Sequence, residues 1–208
     1  NQDYTNGFGG TSSAAPLVSG IMALLKQVRP DADVRLAKHL IARTSIKWDP
    51  TNVEWTANGA GLTHANSYGF GGIDAAALTA RAELGETVTP LSTTSVPTVT
   101  VATAVPDGLA SGVSRTFSVA GTTPIEDLRL TLNVTHPYRG DLELFVTSPS
   151  GTTSKLMSTA SDSGDNVNWT FSSVAFWGEN PQGTWTVRRA DRFTTDLGTW
   201  NSFSVLLR

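Results

Sequence analysis

The chain contains no cysteine, which excludes disulfide frameworks, thiolate metal sites and a cysteine nucleophile. Charge is scarce as well: 15 Lys and Arg stand against 18 Asp and Glu in 208 residues, a net charge of −3. That balance carries no basic footprint for nucleic acid and none of the charge excess that keeps a chain unfolded. No apolar run approaches the roughly 18 residues that a membrane-spanning helix needs. No Met opens the chain, and Asn1-Gln2-Asp3-Tyr4 lacks the basic and apolar regions of a signal peptide. The sequence reads as a piece cut from a longer precursor.

What is abundant is Ser and Thr, 20 and 29 residues, and they are unevenly spread. Residues 1–85 hold 14 Ala and 12 Ser or Thr, whereas residues 86–208 hold 7 Ala and 37 Ser or Thr. In the first part Leu17, Val18, Ile21, Leu24, Leu25 and Val28 follow a helical period that Pro30 stops at Arg29. A second helix is predicted from Asp33 to Thr44 and a third from Asp74 to Leu84, each with its Asp as N-cap and Gly85 ending the last. Trp48 to Gly72 reads as loops with one short hairpin. Residues 86–97, rich in Thr, Val, Ser and Pro, read as an extended linker.

Alternation then takes over. Leu128, Leu130, Leu132 and Val134 share one face of a strand, and Leu142 to Val146 form another, closed by the Ser148-Pro149-Ser150-Gly151 turn. Further strands fit Thr116–Val119, Asn168–Phe171, Gly183–Arg188 and Thr199–Leu207. Short strands separated by frequent turns predict an antiparallel sandwich over residues 98–208.

One motif carries chemistry. Gly9-Gly10-Thr11-Ser12-Ser13-Ala14-Ala15-Pro16 lies at the entry to the first helix. Small neighbours leave a Ser hydroxyl open to approach, and helix N-terminal amides favour a developing oxyanion. Thr11, Ser12 and Ser13 are also ordinary capping residues, and local chemistry alone favours the cap.

The longer text resembles a family. Gly10-Thr11-Ser12-x-Ala14-x-Pro16, followed by Leu17-Val18-Ser19-Gly20, is similar to the nucleophile segment of subtilisin-like serine proteases. Arg35 to Leu40 and Tyr68-Gly69-Phe70-Gly71-Gly72-Ile73-Asp74-Ala75 resemble the kexin/furin branch of that family. Ile125 to Val134, Arg139-Gly140-Asp141-Leu142, Ser148 to Thr152, Trp169 to Phe171, Ser173 to Asn180 and Gly183-Thr184-Trp185 resemble its P, or homo B, domain. The fold expected is α+β: the helical C-terminal segment of a subtilisin-like α/β domain (1–85), then an antiparallel, jelly-roll-like β-sandwich.

The resemblance makes Ser12 the catalytic nucleophile, with its own backbone N–H as one oxyanion donor. In the subtilisin order Asp and His precede Ser, so the base, its carboxylate and the oxyanion Asn are expected upstream. The N-terminal remainder of the peptidase domain is therefore the expected partner, with protein or peptide substrates cut after basic residues. Alone, the chain is expected to be inactive, because an unactivated Ser hydroxyl is a poor nucleophile. His39 reads as packing or surface, His64 as a loop position without a triad role, and His136 as a strand end distant from the motif.

The P domain is expected to stabilise the catalytic domain. Trp169, Phe171, Phe176, Trp177, Trp185 and Trp200 read mostly as sandwich core or interdomain contact rather than a stacking platform, and Trp177 to Asn180 as the stretch nearest the partner domain. The family commonly binds calcium, and Asp141, Asp162, Asp165, Asp191 and Asp196 are oxygen donors in loops or at strand ends, without an EF-hand spacing. Asn133-Val134-Thr135 and Asn168-Trp169-Thr170 fit glycosylation sequons, both in predicted strands. Secretion, to the medium or a periplasm, follows from the family, and the missing cysteines lean bacterial. Two other readings stay open: a non-catalytic P-domain fragment, and a nicked enzyme docked to a second chain.

Overall fold

The computed structural model describes residues 7–208; Asn1-Gln2-Asp3-Tyr4 lie outside them. Three helices come first: α1 (Thr11–Val28), α2 (Val34–Thr44) and α3 (Ala75–Glu83). Asp33 accepts from the Leu36 amide at 2.8 Å and Asp74 from the Ala77 amide at 2.9 Å, so both expected caps form. Each satisfies a first-turn donor that the helix cannot. Replacing Asp33 by Ala is expected to cost about 1 kcal/mol, measured as a shift in the urea midpoint with an unchanged slope.

The helices bury Leu25, Leu36, Leu40, Leu78 and Ala82 together, with Ile21, Met22, Val28 and Ile41 packed against them. Arg29 ties the far end by donating to the Ala82 and Glu86 carbonyls. The Arg81 guanidinium pairs with Glu86 and holds its carboxyl below the ordinary value.

The rest is almost entirely β. A hairpin of β1 (Thr56–Ala57) and β2 (Thr63–His64) precedes eight longer strands: β3 (Thr94–Val105), β4 (Val113–Val119), β5 (Leu128–Thr135), β6 (Leu142–Thr147), β7 (Thr153–Met157), β8 (Val167–Ser173), β9 (Gly183–Asp191) and β10 (Gly198–Leu207). They form two antiparallel four-stranded sheets, ordered β3-β10-β5-β8 and β4-β9-β6-β7. Counting β3 to β10 as first to eighth, this is the strand order of a jelly roll, in which two Greek keys wrap one core. Leu128, Leu130, Leu132 and Val134 face inward from β5, as the alternation predicts. They meet Phe117, Leu144, Val146, Trp185, Val187 and Phe203 in a single cluster.

The chain divides into two compact units: residues up to Thr51 with Phe70–Pro90, and Asn52–Gly69 with Leu91–Arg208. This differs from a boundary at Gly85 in two places. Residues 52–69 group with the sandwich, because the buried Asn58 donates to the Ala175 and Trp177 carbonyls. The expected linker 86–97 ends early, because β3 begins at Thr94 and Val96, Val99 and Val101 pack against the sandwich core. Pro97 is tolerated there because β3 is an edge strand, where a missing N–H breaks no ladder.

Candidate functional site

Helix α1 begins earlier than its apolar period suggests, at Thr11, with Gly10 as N-cap at φ 79°. That left-handed conformation suits glycine, and no side chain caps the helix. Ser12 is thus the second helical residue rather than the cap, and its side chain is exposed. The neighbouring Ser13 hydroxyl is committed, donating to the Gly10 carbonyl at 2.9 Å. Pro16 lies inside the helix and has no N–H to give the Ser12 carbonyl four residues back. Ser12 therefore sits at the open start of the first turn, where the Ser13 and Ala14 amides reach the Gly10 carbonyl and the Thr11 and Ser12 amides precede the helix ladder, with its hydroxyl exposed to an electrophile.

His136 is fully buried, its Nε2 3.0 Å from an Asp191 carboxylate oxygen and its Nδ1 bonded to the Tyr138 backbone. This pair looks like part of a relay, but it is sealed from solvent in the second unit. His64 is in β2, beside a polar cleft that Glu54 and Lys155 also line. Burial holds the His64 imidazole below its ordinary value of 6.5. A depressed histidine contributes stability that is present above the unfolded pKa and is lost as pH falls toward the folded one. The drop in urea midpoint between pH 7.5 and pH 5 is therefore expected to be smaller in His64→Gln than in the parent chain. His39, in α2, is half-buried.

Comparison with known proteins fits the two halves. The sequence model of the subtilase family matches residues 1–71, and that of the proprotein convertase P-domain matches residues 125–207. Proprotein convertase subtilisin/kexin type 7 of Homo sapiens is 36% identical over 190 residues, 87% of this chain and 24% of that protein. The chain belongs to the kexin-like subtilases. Neuroendocrine convertase 2 of Drosophila melanogaster is 33% identical over 193 residues, 85% of this chain and 29% of its own. The chain thus spans about a quarter of the length of these relatives. Among solved structures, the serine protease of Aeromonas sobria superposes with a TM-score of 0.82 at 25% identity, over 96% of this chain and 44% of that one. The same protease in a complex with a chaperone gives 0.84 at 23% identity, over 99% and 45%.

Within this kexin-like subtilase most of the aromatics are core. Phe176, Trp177, Trp185 and Trp200 are buried, and Trp185 stacks on Phe117 at 6.0 Å and meets Phe176 edge-on at 5.0 Å. Trp169 is the exception at 66% exposure. Its register opposite Leu132 puts it on the inner face of β8, but β8 is an edge strand and the opposite sheet does not cover it.

The acidic loop residues fall in two places: Asp191 and Asp196 lie near Asp141, and Asp162 and Asp165 near Arg139. Asp162 is paired with Arg139, which holds its carboxyl below the ordinary value, and Asp191 is paired with His136. Burial and the neighbouring Asp191 push Asp141 up. Among the described residues no three His, Asp or Glu side chains are placed to share a metal ion. Of the sequon asparagines, Asn168 is exposed, and Asn133 accepts from the Asn201 side chain.

Two features escaped the sequence reading. Arg189 is fully buried on β9 and none of its guanidinium nitrogens has a hydrogen-bond partner among the described residues. Burial pulls it down to about 10 while Asp191 resists. The other is a cluster around Glu179, which is 1% exposed. It accepts from Ser150 Oγ, Thr152 Oγ1 and the Gly59 amide. The Asn-Gly pair at 58–59 is a hairpin signal, but nothing local in the sequence names its partner.

Proposed function

We propose that this chain supplies the nucleophile of a serine endopeptidase and that its sandwich stabilises the peptidase domain. The supporting observation is Ser12, exposed in the first turn of α1 within Gly10-Thr11-Ser12-x-Ala14-x-Pro16. Its Oγ attacks the scissile carbonyl while a histidine of the upstream portion takes the hydroxyl proton. That proton passes to the departing amine, leaving an ester on Ser12, and water then cleaves the ester. The Ser12 amide, with a side-chain donor from upstream, holds the oxyanion.

The upstream portion of the same precursor, joined or nicked, is the partner. Leu17 is 71% exposed and Leu24 47% exposed on α1, an apolar face suited to packing under the parallel sheet of a subtilisin-like domain. Calcium, as a cofactor of the complete enzyme, belongs to the same proposal and rests on the family resemblance. Secretion, to the medium or a periplasm, is part of the same proposal. No helix among the described residues is long and apolar enough to cross a membrane.

Cleavage after basic residues is tested by co-expressing the chain with its upstream portion and assaying matched peptides with Arg, Lys, Leu or Gln before the scissile bond. Selective turnover of the Arg and Lys peptides is expected; equal turnover of all four contradicts the specificity. A second reading, a non-catalytic stabilising or partner-binding module, draws on the jelly roll, whose core closes without the helical unit. Absence of turnover of every peptide by the reunited protein would favour it.

A further inference from the structure

The hairpin turn at 58–62 is held by an unusually complete set of bonds. The Asn58 amide nitrogen donates to the Ala175 carbonyl at 2.9 Å and the Trp177 carbonyl at 3.0 Å. Its oxygen accepts from the Ala60 and Leu62 amides, both at 3.0 Å. All four hydrogen-bonding positions of one side chain are filled. Asp in its place would lack both donors, and Gln would be a methylene too long. Next along, the Gly59 amide donates to Glu179 Oε1 at 2.8 Å and to Thr152 Oγ1 at 3.2 Å. A Cβ on Gly59 would come within 2.4 Å of Ser150 Oγ. Gly178 is matched from the other side: its φ is +80°, and a Cβ there would meet the Ala60 methyl at 3.1 Å.

The receiving side has no use for itself. Glu179 has no ion-pair partner among the described residues; three donors compensate its buried carboxylate, and one of them is the Gly59 amide. Withdrawing the turn would leave two buried carbonyls bare and that carboxylate short of a donor, which is costly at such burial. Both ends of the hairpin, at 51–52 and 69–70, join directly to the unit that carries Ser12.

We propose that Ser150, Thr152, the Ala175 and Trp177 carbonyls and Glu179 form a recognition site for an Asn-Gly turn, occupied by Asn58-Gly59 of the same chain. Through this turn the sandwich grips the peptidase-derived segment, a consequence that rests on the stabilising role proposed above. The site reads Asn by its amide, Gly by the absence of a side chain, and the following residue by its small size.

The test uses the whole chain and reads amide exchange at 58–62 together with chymotryptic cleavage after Trp55 and Tyr68. Gly59→Ala is expected to speed both by about tenfold or more, the factor corresponding to the loss of one well-made buried bond. Adding Ser150→Gly removes the atoms that the new methyl strikes, and is expected to bring protection back to within about threefold of the parent, a coupling that independent sites do not show. Unchanged protection in Gly59→Ala, or losses that merely add in the double variant, overturns the proposal. Should Gly59→Ala fail to fold, Asn58→Asp keeps the acceptors for Ala60 and Leu62 and removes only the two donors to the sandwich. Its hairpin is then expected to lose protection while β5 and β9 keep theirs, and full protection of that hairpin overturns the proposal equally. Neither readout involves catalysis, so the protease reading can fail while this one stands, and the reverse.

Discussion

Ser12→Ala, introduced into the enzyme reunited with its upstream portion, is expected to lower kcat by about 10⁶-fold, the scale for removing the nucleophile of a subtilisin-type triad. The fold should not notice. Ser12 is exposed, caps nothing, and Ala is the better helix former. Ser13 is the internal control: its hydroxyl is spent on the Gly10 carbonyl, so Ser13→Ala should keep most of the activity and cost only a local hydrogen bond. If Ser13→Ala matched the loss in Ser12→Ala, the assignment of the nucleophile within the motif would be wrong. Steady-state kinetics on one peptide, with matched thermal melts, separate the two outcomes.

Trp185→Ala is expected to destabilise the sandwich by about 3–5 kcal/mol, the range for emptying a buried aromatic site. Trp185 is fully buried on β9, between Phe117 and Phe176, and its indole N–H donates to the Pro181 carbonyl at 2.8 Å. Its removal opens a cavity and also strands a buried carbonyl. Neighbours on rigid strands cannot collapse far into the space. Urea unfolding followed by far-UV circular dichroism measures the loss; a change below about 1 kcal/mol would mean that the cluster repacks. The larger loss should also shorten the lifetime of the complete enzyme at elevated temperature if the sandwich buttresses it.

Much of the fold was legible in the sequence because its signals are local. The β5 alternation and the caps at Asp33 and Asp74 need only a few neighbouring residues, and they appear where the pattern puts them. Strands β3 and β7 carry no clear strand signal in the sequence, although β4 and β8, which are sheet edges too, do. With partners on one side only, β3 and β7 need no regular alternation and can carry Pro97 or a polar run such as Thr153-Ser154-Lys155. The start of α1 at Thr11 has no apolar period to mark it, because Thr11, Ser12, Ala14 and Ala15 are exposed. Arg189 defied the pattern outright by occupying an inward position on β9. The contacts of Asn58 with Ala175 and Trp177, and of Gly59 with Glu179, join residues about 120 positions apart and have no local signature. At the site itself, the chemistry of Ser12 as a nucleophile came from the family resemblance, since a Ser at a helix start is by itself only a candidate cap.

Fluorophosphonate labelling followed by peptide mass spectrometry tests the central claim most directly, applied in parallel to the chain alone and to the chain reunited with its upstream portion. Rapid, stoichiometric modification of Ser12 is expected in the reunited protein and almost none in the chain alone, since the proposed mechanism draws its activating histidine from the upstream portion. Failure to label Ser12 in a folded, reunited protein, or labelling at another serine, would contradict it.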